Sequence, residues 1–150
     1  MKLGIISDTH GVLRNEVIEN LNGCDYIIHG GDVGGKEIID NLRNIAGTIV
    51  VKGNNDKDPW GCTLPKSKKV NLDDFVVYVV HDKKDIEYEK LDDVNIVVYG
   101  HSHKYNEENY RGITFINPGS CGRRRFSLPL TMAIVKGDKD NISVEKIILE

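Results

Sequence analysis

A chain of 150 residues with 39% hydrophobic and 29% charged side chains carries enough apolar material for one ordinary domain, here taken over residues 1–150. Its formal net charge of −3 excludes the global positive field of a typical nucleic-acid binder. No apolar run approaches the roughly 20 residues that a membrane span needs, and the chain enters an apolar run at Lys2 without a signal-like region, so a cytoplasmic location is expected.

Lys2–Ser7 reads as a buried strand. Leu13, Val17, Ile18 and Leu21 recur at helical spacing, which predicts an amphipathic helix from about residue 13 to 22, closed by Asn22-Gly23. Tyr26–His29 is a second strand. Ile38, Ile39, Leu42 and Ile45 give a second helix, and Thr48–Lys52 a third strand. The order β-α-β-α-β predicts a parallel sheet covered by helices. Lys68–Leu72 and Phe75–His81, separated by Asp73-Asp74, form a hairpin. Asp85–Asp92 has room only for a short helix. Strands follow at Asn95–Gly100, Lys104–Tyr110, Gly112–Asn117, Leu130–Lys136 and Ile142–Leu149. Gly61–Ser67 and Arg123–Pro129 are loops. The strand-rich second half points to two sheets packed face to face with helices outside: an α/β, four-layer α-β-β-α sandwich of two mixed sheets. Cys24, Cys62 and Cys121 are odd in number and widely spaced, so they are read as free thiols.

Chemistry-bearing residues sit at the strand ends. Asp8-Thr9-His10 ends the first strand, Gly31-Asp32 follows the second, Gly53-Asn54-Asn55-Asp56 follows the third, His81 ends a fourth, and Gly100-His101-Ser102-His103 ends a fifth. On an extended segment residues i and i+2 point the same way, so Asp8 with His10, and His101 with His103, are expected to act as chelating pairs. The glycines before Asp32 let the backbone approach a ligand closely. Each motif alone has an ordinary structural role: Asp-Thr-His can cap the next helix, and Gly-Asp and Asn-Asn-Asp suit turns. Two imidazoles after a buried strand need partners. Five such motifs in one chain point to metal ligation by Asp8, His10, Asp32, Asn54, His81, His101 and His103. Mixed imidazole and carboxylate donors suit first-row divalent cations.

In order and spacing these motifs resemble the calcineurin-like metallophosphoesterases, and most of all the small bacterial and archaeal phosphodiesterase (YfcE-like) branch, which also carries an Asn-Pro-Gly-Ser run, here Asn117-Pro118-Gly119-Ser120. The resemblance implies that family's fold. It implies two divalent cations, one held by Asp8, His10, Asp32 and His103, the other by Asp32, Asn54, His81 and His101, with Asp32 bridging. It favours manganese, with Ni, Fe, Zn, Co and Mg as alternatives. Small phosphoesters, phosphodiesters foremost, are then cleaved by a hydroxide bridging the two metals. Asn54 and Asp56 are the candidate catalytic residues, Asp56 orienting a water or capping the turn.

Departures narrow this reading. Many relatives have His after the metal-binding Asn, where it assists the leaving group; here it is Asn55, a candidate substrate contact without useful acidity. Asp82-Lys83 replace the usual Gly and His after His81. Val33-Gly34-Gly35-Lys36 replaces the Arg-Gly extension of protein Ser/Thr phosphatases, which argues against that activity. Arg123-Arg124-Arg125 is either a solvated basic turn or, if it faces the metals, a phosphate clamp led by Arg123. His29 is a buttress behind the site or a satisfied core-edge histidine. Trp60 is read as a loop anchor, with nucleobase stacking as the alternative. The competing function is a non-catalytic scaffold like the retromer subunit of this fold, whose ligands are degraded; here every expected ligand is present. A nuclease is disfavoured by the acidic balance. Oligomeric state is left open, a homodimer among the options.

Overall fold

The computed structural model describes residues 1–125 and 127–149. In chain order it contains β1 (Lys2–Ile6), α1 (Asn15–Leu21), β2 (Tyr26–His29), α2 (Lys36–Arg43), β3 (Gly47–Val50), β4 (Ser67–Asn71), β5 (Val76–Val80), β6 (Ile96–Val98), β7 (Asn106–Tyr110), β8 (Ile113–Asn117), β9 (Leu130–Asp138) and β10 (Asn141–Leu149). Short 3-10 turns occupy Gly61–Thr63, Lys83–Asp85 and Tyr88–Lys90.

The strands form two five-stranded mixed sheets, ordered β10-β9-β1-β2-β3 and β4-β5-β6-β8-β7. In the first, β1, β2 and β3 are parallel, as the β-α-β-α-β order predicts, and β9 and β10 extend the sheet antiparallel beyond β1. In the second, β5, β6 and β8 are parallel, flanked by antiparallel β4 and β7. The β4–β5 hairpin closes as expected, with Leu72 N–H donating to Phe75 O at 2.8 Å across Asp73-Asp74.

Period-2 alternation divides each apolar run between two cores. Leu3, Ile5, Ile28 and Ile49 face the second sheet, against Val77, Val79, Ile96, Val98 and Ile116. Their neighbours Ile6, Ile27 and Val50 face Val17, Leu21, Ile39 and Leu42 of the two helices. On the outer face of the second sheet, Tyr78, Val97 and Phe115 are covered by Ile86, Leu91 and Val94. The short helix expected over residues 85–92 is absent; two 3-10 turns take its place. Ile86 and Leu91 must both be buried, and five positions apart they would lie about 140° apart around an α-helix, so a break between them serves the packing better.

The parallel registers align Ile6 with His29 and His29 with Val50 in one sheet, and Val79 with Val98 and Ile116 in the other. The carboxyl ends of both triplets therefore lie level, and the loops that follow them meet at one edge, where open α/β sheets generally place ligands. Among the described residues, no helix is long and apolar enough to cross a membrane.

Candidate metal centre

The expected ligands leave the strands before they do chemistry. Asp8, His10, Asp32, His101 and His103 adopt φ of 56°, 46°, 56°, 75° and 62°, and they are five of the seven described non-glycine residues with positive φ. Asp8 and His10 do face one another, with Asp8 Oδ1 3.7 Å from His10 Nε2, but not on an extended segment, and the expected pairing of His101 with His103 is corrected. β1 ends at Ile6 and β6 at Val98, and left-handed backbone turns each side chain separately. His103 and His101 diverge as a result: His103 Nε2 comes within 3.4 Å of Asp8 Oδ1 and of His10 Nε2, whereas His101 Nδ1 lies 3.1 Å from Asn54 Oδ1. Each left-handed non-glycine residue costs about 1–2 kcal/mol, a strain that surrounding contacts must hold in place.

Those contacts are present. Asp8 N–H donates to Gly31 O and His10 N–H to Asp32 O, both at 3.0 Å, which ties the loops after β1 and β2 together. Asp56 is buried, and its carboxylate accepts from the N–H groups of Gly53, Asp32, Val33 and Gly34 at 2.9–3.3 Å. Its oxygens are spent on the frame of the Asp32 and Asn54 loops, so the structure places Asp56 as a positioning residue. The close approach explains Gly53: a Cβ there would sit 2.1 Å from Asp32 N and Oδ1. His29 is fully buried; its Nδ1 accepts from Gly31 N–H at 3.0 Å, so its Nε2–H donates to Thr9 Oγ1 at 3.0 Å, and Thr9 Oγ1 donates to Val33 O at 2.7 Å. Burial holds its protonation down to about 4. His29 combines the two roles considered for it: both ring nitrogens are satisfied, and its partners Thr9 and Gly31 lie in the ligand loops. Trp60 packs against the helix-side core, the anchoring role expected of it.

The floor of the site is a ring of facing donors. Asp8 Oδ1 lies 3.7, 3.4 and 4.0 Å from the Nε2 atoms of His10, His103 and His81. Asp32 Oδ2 lies 3.6 Å from His10 Nε2 and 3.3 Å from His81 Nε2. Two compact groups result, Asp8–His10–His103 and Asp8–Asp32–His81. His81 Nδ1–H donates to Gly30 O at 2.7 Å, so Nε2 is the nitrogen turned to the carboxylates: protonated without metal, and the ligand atom in the neutral ring. Burial raises the Asp8 carboxyl, but the facing His10, His103 and His81 and the Ser7 hydroxyl more than offset it, so it sits well below the usual carboxylate range. Burial likewise raises Asp32, and the His81 imidazole and Asn55 N–H bring it below its ordinary value. Burial depresses His81, yet Asp32 and Asp8 push it up to about 9; Asp8 raises His10. Asp8 Oδ2 accepts from Ser7 Oγ and His101 N–H, while Oδ1 is buried without a hydrogen-bond partner. A buried, ionised oxygen aimed at three imidazoles fits a divalent cation, which would satisfy it.

The rim is different. Asn54 and His101 are exposed, and Asn54 Oδ1 lies 3.0 Å from His81 Nε2, linking rim to floor. His101 Nε2 faces Asp82 at 3.7 Å. Asn55 is turned onto Asp32: its N–H and its side-chain amide donate to the two carboxylate oxygens at 2.8 and 3.1 Å. Above them lies an open cleft of about 340 Å³ bordered by His10, Asn55, His103 and all three of Arg123, Arg124 and Arg125. The arginine loop therefore faces the ligands and is no remote basic turn. A larger hollow of about 480 Å³, beside Tyr88, Leu91 and Tyr110, contains none of the ligands.

The sequence reading missed several residues that hold this edge together. Ser120 Oγ lies between Asp8 O and Arg123 O, its one proton shared between them; Asn117 Nδ2 donates to Gly100 O and Ser102 Oγ, and Arg14 Nε to Gly122 O. Only Asn117 and Ser120 lie in a recognisable motif; nothing local marks Arg14. Cys121 is buried, and burial pushes its thiol up to about 12, as an inert structural thiol requires. All three cysteines are free.

The family model of the calcineurin-like phosphoesterase superfamily domain matches residues 1–140. The chain belongs to this superfamily. It is 32% identical over 155 residues to a probable metallophosphoesterase of Methanocaldococcus jannaschii, an alignment covering 93% of this chain and 78% of that protein. The structure of an archaeal phosphodiesterase superposes with a TM-score of 0.81 at 26% identity, covering 99% of this chain and 100% of that one. Vps29 of Entamoeba histolytica, solved as a complex with zinc, superposes with a TM-score of 0.75 at 22% identity over 99% of each chain, a likeness of fold. The two-sheet sandwich and the family expected from the strand-end motifs are thus both found.

Proposed function

We propose that this superfamily member is a metal-dependent phosphodiesterase that cleaves small phosphoesters with two divalent cations. The supporting observation is the buried, unpartnered Asp8 Oδ1 facing three imidazoles, within a set of seven ligand-type side chains from five strand ends. His10, His103 and Asp8 would hold one cation and Asp32, His81, Asn54 and His101 the other, with Asp32 Oδ2 placed between His10 and His81. When bound, the cations supply Lewis-acid activation of water and neutralise phosphoryl charge.

The chain's own groups do the rest. Asp56, His29 and Asn55 keep Asp8 and Asp32 oriented. Arg123 offers a planar pair of donors to a non-bridging phosphate oxygen. Asn54 reaches the cleft with an amide that binds without accepting a proton. No carboxylic acid or imidazole outside the proposed ligand set borders the cleft among the described residues, so leaving groups that depart unassisted are favoured. Manganese is the first metal to supply in the test tube. The scaffold reading draws on the likeness to Vps29, but that likeness extends to fold alone, and the complete ligand set supports an enzyme. The test is hydrolysis of bis(p-nitrophenyl) phosphate by protein stripped of metal and reloaded with Mn, Ni, Mg or Zn. Metal-restored turnover is the expected result; absence of turnover with every metal, at full metal occupancy, would favour the scaffold.

A further inference from the structure

The two cations proposed above are unequally provided for. One has Asp8 and Asp32; the other has Asp32 alone, shared, beside the neutral donors Asn54, His81 and His101. Its two histidines are also held unequally. His81 is buried, and its Nδ1–H donates to Gly30 O at 2.7 Å. The His101 side chain is 45% exposed, and no backbone carbonyl among the described residues holds its ring. His101 Nδ1 lies 3.1 Å from Asn54 Oδ1, which in turn lies 3.0 Å from His81 Nε2, so Nδ1 is the nitrogen turned to the other proposed ligands. The remaining nitrogen, Nε2, faces Asp82 Oδ2 at 3.7 Å, within ion-pair range.

The fold brings Asp82 to that place. Val79 and Val98 are register partners in the parallel β5–β6 pair, and Gly100 N–H donates to His81 O at 2.9 Å, so residues 82 and 101 leave neighbouring strands side by side. Asp82 is then fixed by the turn it opens. Its Oδ1 accepts from Lys84 N–H at 3.1 Å, and its backbone O from Asp85 N–H at 3.0 Å. One carboxylate oxygen is thus committed to the backbone, and the other is left for the imidazole. Lys84 Nζ also lies 3.7 Å from Oδ2, but that side chain is 79% exposed, and an exposed pair of this kind is screened and weak. A histidine that binds metal through one nitrogen is generally held at the other by a carboxylate, a carbonyl or water, which fixes its tautomer and the direction of its ring. Gly30 O is so placed for His81.

We infer that Asp82 is the positioning residue for His101: its carboxylate accepts from Nε2–H and so presents Nδ1 to the cation shared with Asn54 and His81. The negative charge it adds lies one imidazole away from the cation with fewer carboxylates. This rests on the metal-dependent reading above. The test is titration of the metal-free protein with zinc against a chromophoric chelator, which needs no turnover. Asp82→Asn should weaken one of two zinc affinities by about tenfold or more and leave the tighter one in place. Asp82→Glu keeps the carboxylate and should recover most of that loss. Lys84→Gln should leave both affinities unmoved, because Asp82 acts on His101 and not through its ion pair with Lys84. In a His101→Ala background Asp82→Asn should cost nothing further, since the partner through which it acts is gone. In zinc-loaded protein with isotope-labelled histidine, Asp82→Asn should move the Nε2 resonance of His101 and leave those of His81 and His103 in place. Unchanged zinc affinity in Asp82→Asn, an equal fall in both affinities, or the same loss with and without His101 overturns this inference, and the phosphoesterase reading then stands or falls on turnover alone. Uptake of a single zinc counts against two cations, and the cycle with His101 still decides the role of Asp82.

Discussion

The floor and the rim of the site are built on opposite principles. On the floor, Asp8, Asp32, His81 and His103 are buried; Ser7 holds Asp8, Asp56 and Asn55 hold Asp32, and Gly30 holds His81. On the rim, Asn54 and His101 are exposed, and Arg123, Arg124 and Arg125 border the open cleft. A floor of this kind is organised before any cation arrives, so binding costs little reorganisation. A rim of this kind can follow a substrate. Affinity for metal should therefore reside in the floor and discrimination among substrates in the rim.

The strongest way to break this comparison is Asp32→Asn. The substitution keeps the shape and removes one of the floor's two carboxylates, so turnover should fall by more than about 1,000-fold, or about 4 kcal/mol of transition-state stabilisation, together with bound metal. Elemental analysis and hydrolysis of bis(p-nitrophenyl) phosphate measure both, with surface Asp140→Asn as control. A variant that keeps its metal and rate removes Asp32 from the centre. Next comes Asp56→Asn, which takes a charged acceptor from four backbone N–H groups. Loss of about 2–4 kcal/mol is expected in urea unfolding of the metal-free protein. An unchanged midpoint would mean that the loops hold themselves.

The ligand histidines sharpen the contrast further. His103→Ala should weaken metal binding at least about tenfold more than His101→Ala, because His103 is buried against Asp8 and His101 is exposed. Equal losses, measured by metal titration, would erase the distinction between floor and rim.

Acidity gives a fourth test, confined to the metal-free protein. His81 is raised from 6.5 to about 9. Its protonation therefore stabilises the fold fully below about pH 6.5, and that contribution is lost as pH rises through about 9. His29 is lowered to about 4 and acts in the other direction: the unfolded chain takes up its proton first, so stability falls as pH drops from 6.5 towards 4. Urea midpoints in the presence of a chelator should pass through a maximum between these limbs, and His81→Gln should flatten the alkaline one. A metal needs neutral His81, so metal binding below about pH 9 should release protons; a lightly buffered titration reads them directly. The smallest effect is expected at Asn55. Asn55→Ala removes one amide bond to Asp32, and metal affinity should fall by about tenfold, while rates of the wild type should still depend steeply on leaving-group acidity.

Much of this architecture follows from local residue patterns. Continuous apolar runs such as Ile5-Ile6 and Val76–Val80 specify strands buried on both faces, because period-2 alternation sends each residue to a different core. The β-α-β-α-β order specifies the parallel triplet, and ligand-type residues placed after strands specify a site at one sheet edge. The seven candidate ligands were named this way, and the structure brings five of them, Asp8, His10, Asp32, His81 and His103, into two compact groups. How they meet is set by long-range packing. The pairing of His103 with Asp8 and of His101 with Asn54 depends on left-handed backbone at Asp8, His10, His101 and His103, a conformation Asp and His enter more readily than most residues but that packing must sustain. The role of Asp56 is equally non-local: a turn sequence and a buttress look alike until the Asp32 loop comes within reach of the carboxylate. Arg123–Arg125 read in the sequence as a basic turn or a clamp, and their place beside the cleft is set 108 residues away in sequence, where Arg14 holds the base of that turn.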